Sequence, residues 1–182
     1  MTSSSGRRDP LPPHAGSHAR ATPGPRPRLA AGFTTCHGAT YPPPVKNRSF
    51  VMCKPDAVER GLVGEVIGRL ERKGLTLVAA ELRQVDEALA ARHYAEHEGK
   101  SFYDDLVGFI VRSPVFAMVI EGPDENTYLL ARKVVGATKV EDAEPGSIRG
   151  DFATATTENL VHASDGHESA TREIALWFPG LA

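Results

Sequence analysis

The sequence predicts an α+β fold of the ferredoxin-like type, in which a four-stranded antiparallel sheet is covered by helices. Runs with β-strand character alternate with runs of helical spacing in the order β-α-β-α-β-α-β-α. Two of the strand-to-strand connections are long, as this fold requires. A length of 182 residues suits one ordinary domain, so a single sheet and core are expected.

Hydrophobic spacing predicts the first two strands and the helix between them. Ser49 begins a short β-rich run that stops at Pro55, a residue that cannot donate to the hydrogen-bond ladder. Helical spacing follows over residues 61–73, where the apolar positions are Leu62, Val63, Val66, Ile67 and Leu70. Gly74 suits the C-terminal cap of this helix, and residues 75–84 form the second strand.

Three helices and the third strand come next. Asp86 is a good N-cap for a helix that runs to about His97, and residues 102–111 have the spacing of another short helix. Residues 115–121 are apolar enough to form a strand buried on both faces. A helix over residues 127–135 follows this strand.

A long connection separates these elements from the last strand and helix. It spans residues 136–159 and is rich in Gly, Pro and acidic residues, before a brief strand at 160–162 and a helix from about 167 to 177. Long loops inside compact domains are usually functional. The Arg149-Gly150-Asp151 run is therefore a candidate for part of a site.

The sequence predicts a disordered arm, rich in Pro, Arg, Ser and Gly, over residues 1–47. It predicts a single folded domain over residues 48–182. The arm holds 9 of the 14 prolines and shows no apolar periodicity. Residues 1–48 contain 7 of the 21 basic residues but only 1 of the 23 acidic residues. The arm is therefore basic and the rest of the chain acidic. The sequence leaves open whether the arm is a targeting peptide, a solvated tail or an over-extended start.

Charge and composition argue against several classes of protein. An acidic body makes nucleic acid an unfavourable partner, because Lys and Arg supply most non-specific affinity for DNA. No apolar run approaches the roughly 20 residues of a membrane-spanning helix, so no membrane partner is expected. Cys36 and Cys53 lack metal-ligand spacing with the histidines, which favours a reducing, cytoplasmic location without disulfides or zinc.

A histidine with polar neighbours marks the end of the last predicted strand. The run from Asn159 to Asp165 places His162 among an amide, a hydroxyl and a carboxylate. Such a histidine can be oriented for catalysis, but a lone histidine with polar neighbours is more often structural. This pattern alone leaves both interpretations open.

Five features of the sequence occur together at matching spacings. They are Lys54 to Gly61, His93-Tyr94, Phe102, Pro145 to Phe152, and the N-x-x-H-x-S-D pattern at 159–165. Through them residues 49–179 closely resemble the nucleoside diphosphate kinase family, in its short-tailed bacterial form with an N-terminal extension. The resemblance implies an enzyme that moves the terminal phosphate of a nucleoside triphosphate to a nucleoside diphosphate by a ping-pong mechanism.

The resemblance also implies which residues perform the transfer. His162 looks like the nucleophile that becomes phosphorylated, and Glu173 like the carboxylate that orients its ring, with Ser164 beside it. A neutral imidazole is a good nucleophile, and the phosphoramidate that it forms is reactive enough to pass the phosphoryl group on.

The implied phosphate contacts come from several parts of the chain. Lys54, Arg132 and Arg149 resemble the family's phosphate-binding cations. Tyr94 and Thr138 resemble its hydroxyl contacts, and Lys54, Tyr94 and Arg149 count as catalytic residues as well. Cations placed around the transferring phosphoryl group supply much of the catalysis in phosphoryl transfer.

The remaining implications concern the nucleoside, the metal and the assembly. Asn159 resembles the contact to the sugar and Phe102 the ring on which the base stacks, a mode that tolerates any base. Mg²⁺ is implied as a cofactor bound with the phosphates, with no dedicated protein ligands and at most a water-mediated contact from Asp165. The expected partners are nucleoside tri- and diphosphates, and a homotetramer or homohexamer is expected. Nucleotide preference is left open.

Three departures from the family pattern affect these expectations. Two extra residues lie between Glu121 and Arg132, so the helix there could be re-registered, with Lys133 in place of Arg132. Lys139-Val140 stands where the family usually has Asn-Pro or Asp-Pro. Arg112-Ser113-Pro114 stands where it usually has Ser-Gly-Pro.

Features of the sequence also suggest three alternative functions. Residues 93–97 read H-x-x-E-H, an inverted zinc-protease pattern whose two histidines would share a helix face. A protein that keeps the fold for binding or assembly but has lost efficient transfer is a second alternative. Nucleic-acid binding through the basic arm is a third.

Overall fold

The computed structural model describes residues 47–181, so the predicted arm lies outside the described residues except for Asn47. Four strands form one sheet in the order β2-β3-β1-β4, and every neighbouring pair is antiparallel. The strands are β1 (Arg48–Cys53), β2 (Thr76–Arg83), β3 (Val115–Glu121) and β4 (Val161–Ala163). This topology confirms the predicted α+β, ferredoxin-like fold.

Seven helices cover the sheet in the described part of the chain. They are α1 (Pro55–Glu59), α2 (Val63–Arg72), α3 (Glu87–His93), α4 (Tyr103–Val111), α5 (Thr127–Val135), α6 (Ile148–Phe152) and α7 (His167–Trp177). Single 3₁₀ turns lie at Ala95–His97, Val140–Asp142 and Pro179–Leu181. None of the helices over residues 47–181 has both the length and the apolar character needed to cross a bilayer.

Two short helices were not predicted from the sequence. Helices α1 and α6 have five residues each, too few for a hydrophobic period to show. Pro55 starts α1, because its fixed φ suits the first helical position. Ser147 caps α6 by accepting a hydrogen bond from the backbone of Gly150 at 3.1 Å.

Two predicted boundaries were wrong. The helix capped by Asp86 ends at His93 rather than near His97, because Tyr94 leaves the helical region of φ and ψ. The last strand begins at Val161 rather than 160, because Leu160 has a φ of 73°, a left-handed conformation that does not continue a strand.

The sheet separates two hydrophobic clusters. Phe50 and Met52 of β1 face the cluster beneath α3, α4 and α7, while Val51 and Cys53 face the cluster beneath α2 and α5. All four side chains are fully buried. Strand β1 therefore lies at the centre of the fold, between β3 and β4.

The C-terminal end of β1 brings distant parts of the chain together. Met52 pairs with His162 on β4, and the backbone N–H of Lys54 donates to the carbonyl of Leu160 at 2.8 Å. These contacts place the first strand's end, helix α1 and the His162 segment side by side. The sequence-predicted site residues surround this point.

Candidate active site

A cavity of about 920 Å³ opens at this end of the sheet. Its lining includes nine of the sequence-predicted site residues: Lys54, Tyr94, Phe102, Arg132, Thr138, Arg149, Asn159, His162 and Glu173. Ser164 is fully buried behind this lining, and Asp165 lies on it. Residues predicted from widely separated segments of the sequence thus meet at one cavity.

His162 is held by a carboxylate. Its Nε2 lies 2.8 Å from Oε1 of Glu173, and the other oxygen of that carboxylate accepts the hydroxyl of Ser164 at 2.5 Å. Burial alone would raise the pKa of Glu173, but the charge of His162 and the hydrogen bonds from His162 and Ser164 outweigh it and lower the pKa. An ionised Glu173 keeps the proton on Nε2 and leaves the lone pair on Nδ1 of His162.

A second histidine lies against the first. The ring centroids of His93 and His162 are 4.9 Å apart, and Nδ1 of His93 accepts the indole N–H of Trp177 at 3.3 Å. Burial, followed by the charge of His162, lowers the pKa of His93 to about 3. His93 is therefore neutral and carries its proton on Nε2, an atom with no partner in the structure.

Lys54 supplies a buried cation at the end of β1. Its side chain is 7% exposed, and Nζ donates to the carbonyl of Thr157 at 3.2 Å and lies 5.2 Å from the ring centroid of Phe109. Burial lowers the pKa of Lys54 to about 8, although the neighbouring Asp56 acts in the opposite direction. An anionic ligand beside this amine would stabilise its protonated form, which burial disfavours.

Arg149 and Asn159 form a rigid corner of the cavity. The guanidinium of Arg149 donates to the carbonyls of Asn159 at 3.2 Å and Gly136 at 2.9 Å, and also to that of Val161. Burial, followed by the charge of Arg132, lowers its pKa to about 10. The amide of Asn159 donates to two carbonyls, those of Thr138 and Thr156, while its buried Oδ1 has no partner among the described residues.

Arg132 lies on the cavity despite the two extra residues before its helix. Its Nη1 donates to the carbonyl of Ala163 at 3.4 Å, whereas Lys133 lines a different pocket. The turn before α5 contains its own hydrogen bonds, including one of 2.7 Å from the hydroxyl of Thr127 to the carbonyl of Asp124. Arg132, and not Lys133, therefore lies on the cavity.

Two aromatic residues form the opposite wall. Tyr94 is buried at the end of α3, where its ring packs on those of His93 and His97. Phe102 is 47% exposed at the start of α4, although it is a large hydrophobic side chain. An exposed ring on the wall of a cavity offers a surface for stacking.

Asp56 is a site residue that sequence reasoning missed. One of its carboxylate oxygens accepts the backbone N–H of Leu160 at 2.9 Å, and the side chain is buried. This bond holds Leu160 in its left-handed conformation, two residues before His162. The signal in the sequence was an acid directly after Pro55, but its partner lies 104 residues away.

The zinc-protease pattern does not form in the structure. The helix ends at His93, and Nδ1 of His97 lies 2.9 Å from Nζ of Lys100 instead of sharing a face with His93. Within residues 47–181, the histidine and carboxylate atoms close enough to share a metal belong to His93, His162 and Glu173. His97 is outside that group.

Transfer of a phosphoryl group needs an oriented nucleophile, cations for the phosphate oxygens and a place for the rest of the donor. The cavity offers all three within a ferredoxin-like fold, with an exposed ring and an unpartnered amide oxygen beside the cations. The fold and cavity define the class of the protein as a nucleotide-binding phosphotransferase.

Comparison with known proteins gives the family. The sequence model of the family described as "NDK: Nucleoside diphosphate kinase" matches residues 47–181. A nucleoside diphosphate kinase from Saccharopolyspora erythraea is 57% identical over 138 residues, which cover 75% of this chain and 100% of that protein. One from Mycobacterium leprae is 57% identical over 135 residues, covering 74% and 98% respectively. This chain belongs to the nucleoside diphosphate kinase family.

Solved structures agree with this assignment. A nucleoside diphosphate kinase family protein from Babesia bovis superimposes with a TM-score of 0.71 at 45% identity, covering 74% of this chain and 89% of the other. A halophilic nucleoside diphosphate kinase from Halobacterium salinarum, solved in complex with CDP, gives 0.69 at 50% identity, covering 72% and 86%. The enzyme transfers the terminal phosphate of nucleoside triphosphates to nucleoside diphosphates through a phosphohistidine, and these nucleotides are its substrates.

Proposed function

We propose that His162 is the residue that carries the phosphoryl group in this enzyme. The observation that supports the proposal most strongly is the 2.8 Å contact between its Nε2 and Oε1 of Glu173. A ring held in this tautomer presents Nδ1 as the nucleophile, and the carboxylate stabilises the positive charge that the ring gains on attack.

The reaction then proceeds in two half-reactions. In the first, Nδ1 of His162 attacks the terminal phosphorus of the triphosphate, a P–N bond forms, and the P–O bond to the leaving diphosphate breaks. In the second, the terminal oxygen of a different diphosphate attacks the phosphohistidine, and the P–N bond returns its electron pair to Nδ1. A covalent relay lets two anionic nucleotides use the same cations in turn.

The other predicted site residues on the cavity also have proposed roles. Lys54, Arg132 and Arg149 bind the phosphate oxygens, with hydroxyl contacts from Tyr94 and Thr138. The unpartnered Oδ1 of Asn159 suits a sugar hydroxyl, because a hydroxyl group is a donor that this buried acceptor lacks. Phe102 is the platform on which the base stacks.

Mg²⁺ is proposed as the cofactor that arrives with the nucleotide. The carboxylate of Asp165 lies on the cavity wall, and the side chain of Ser169, by hydrogen bonding, lowers the pKa of Asp165. An ionised carboxylate at the edge of the phosphate site fits a hydrated Mg²⁺ reached through water. The bound ion would offset charge on the phosphate oxygens.

Three further features are proposed for the whole protein. Residues 48–182 form the catalytic unit and residues 1–47 are dispensable for turnover, so deletion of 1–47 should leave folding and kcat nearly unchanged. The enzyme assembles as a homotetramer or homohexamer, which light scattering at micromolar concentration tests. A cytoplasmic location is proposed from the absence of any disulfide or zinc pattern at Cys36 and Cys53.

One experiment tests the role of His162 directly. Incubation with γ-labelled GTP and no acceptor should label the protein to about one phosphate per chain and release GDP. The label should survive alkali, be lost in mild acid, and transfer to added ADP. His162→Ala should abolish both labelling and turnover, whereas Ser164→Ala should still be labelled. Label retained in His162→Ala would overturn the proposal.

A further inference from the structure

Arg112, at the C-terminal end of α4, binds two carboxylates from separate parts of the chain. Its Nε and Nη2 donate to the two carboxylate oxygens of Glu59 at 3.1 and 2.9 Å. Its Nη1 donates to Glu158 at 2.9 Å. One guanidinium therefore connects α1, the end of α4 and residues 153–160, which we call the site loop.

The site loop forms one wall of the cavity. Its residues 156 to 159 line the cavity, but the loop contains no helix or strand to fix its position. Side-chain contacts hold the loop instead. Lys54 donates to the carbonyl of Thr157, Arg112 to Glu158 and Arg149 to the carbonyl of Asn159, and Asp56 accepts from the backbone of Leu160. Glu158 lies between Thr157 and Asn159 in the chain, so a contact that fixes Glu158 also fixes these two neighbours.

Arg112 is itself held in place by contacts with Phe109 and Glu59. Its guanidinium carbon lies 4.9 Å from the ring centroid of Phe109, the same ring that Nζ of Lys54 approaches. The hydroxyl of Ser113 donates to Glu59 at 2.7 Å and so fixes the carboxylate that receives Arg112. The guanidinium thus spans the distance between α4 and the site loop from a fixed position.

Charge argues that Arg112 does not act as another phosphate contact. Its three nitrogen atoms all donate to carboxylate oxygens of Glu59 or Glu158, whereas those of Arg149 donate to neutral backbone carbonyls. Two carboxylates around one guanidinium give the group a net negative charge, which disfavours an approaching phosphate. Lys54 and Arg149, by contrast, line the cavity, and within residues 47–181 neither forms a salt bridge with a carboxylate.

We propose that Arg112 is a positioning residue for nucleotide binding. By bridging Glu59 and Glu158 it sets the distance between α4 and the site loop, and so places Asn159 and Thr157 for the bound nucleotide. This inference rests on the proposed function, in which Asn159 contacts the sugar and Lys54 a phosphate. Loss of the bridge loosens the binding wall without touching the His162 and Glu173 pair, so it weakens binding and spares the chemical step.

A double-mutant cycle tests the inference. Arg112→Ala, Glu158→Ala and the double variant are compared with wild type at pH 7, where Lys54 remains protonated. Each single variant should raise KM and the diphosphate Kd by about two- to fivefold, the range for partly exposed ion pairs, with kcat unchanged. The double variant should lose no more than either single variant, because both remove the same bridge. The differences should shrink at high salt.

A matched control comes from another arginine and glutamate pair. Nη2 of Arg72 lies 3.4 Å from Oε1 of Glu65, and neither residue lines the cavity. Arg72→Ala should therefore leave KM, Kd and kcat unchanged. An Arg112→Ala effect that persists undiminished in the Glu158→Ala background would show a direct nucleotide contact and overturn the inference. So would unchanged KM and Kd, or a loss confined to kcat.

The test separates this inference from the proposed function. If wild type failed to become phosphorylated at His162, the proposed function would be wrong. Diphosphate Kd values for the four proteins of the cycle would still report whether the bridge shapes the binding wall. If wild type were phosphorylated but the cycle showed no effect of either single variant, only the inference about Arg112 would be wrong.

Discussion

Glu173 binds Nε2 of His162 at 2.8 Å through Oε1, from a helix that begins only after the strand carrying His162 has ended. Glu173 is only 4% exposed, so little water competes with His162 for its carboxylate. This hydrogen bond to a buried carboxylate thus fixes both the ring orientation and the position of its proton.

Replacement of Glu173 by Gln should slow phosphorylation of the enzyme without preventing it. The amide keeps the shape but loses the charge that stabilises the imidazolium, so single-turnover labelling should slow by a factor on the order of ten to a thousand. Rapid-quench measurement with labelled triphosphate checks this. Glu168→Gln, at an exposed position on the same helix, is the control and should label at the wild-type rate.

Nucleotide affinity should fall as the pH rises above about 8. Lys54 is protonated below its pKa of about 8 and loses its charge above it, so binding at higher pH requires uptake of a proton. The Kd of a diphosphate should rise toward tenfold per pH unit once Lys54 is mostly neutral. Calorimetry in buffers of different ionisation enthalpy measures the uptake. If Lys54→Ala showed the same dependence, another group would be responsible.

Phe102→Ala should weaken all nucleotides by a similar factor. Stacking on an aromatic ring contributes about 1 to 3 kcal/mol for any base, so purine and pyrimidine diphosphates should lose affinity alike. Leu129→Ala is a suitable control, because Leu129 is 44% exposed and lies off the cavity. A loss restricted to purines would indicate recognition of base edges rather than stacking.

Asp56→Ala should destabilise the fold and disturb the site at once. The backbone N–H of Leu160 would lose its buried acceptor, at a cost of about 1 to 3 kcal/mol in the free energy of unfolding. Urea unfolding measures this loss. Asp56→Asn retains an acceptor oxygen and should recover much of the stability; equal losses in both variants would mean that the charge of Asp56 matters more than this hydrogen bond.

The sequence predicted the four strands, and it singled out nine of the residues that line the cavity. The hydrophobic period and the N-x-x-H-x-S-D pattern are both local signals, so both can be recognised in the sequence without the structure. Helices α1 and α6 were missed because five residues give no period. The predicted helix up to His97 was too long, because the conformation of Tyr94, and not the apolar spacing, ends it.

Other features depend on contacts that no local pattern records. Arg112 meets Glu59 and Glu158 across 53 and 46 residues of sequence. Asp56 meets Leu160 across a still longer separation. The two-residue insertion before Arg132 raised an expectation of displacement, but whether a turn can absorb extra length depends on its three-dimensional surroundings.

The central position of β1 has a consequence for how the chain folds. Its backbone is bonded to residues far along the sequence, as in the 114-residue separation between Phe50 and Ser164. Pairings of high contact order form slowly, because loop-closure entropy opposes them before they stabilise anything. While β4 has not yet left the ribosome, the hydrophobic central strand therefore has one edge unpaired, and the proposed nucleophile His162 is not yet beside it. We therefore expect activity to appear only once β4 has completed the sheet.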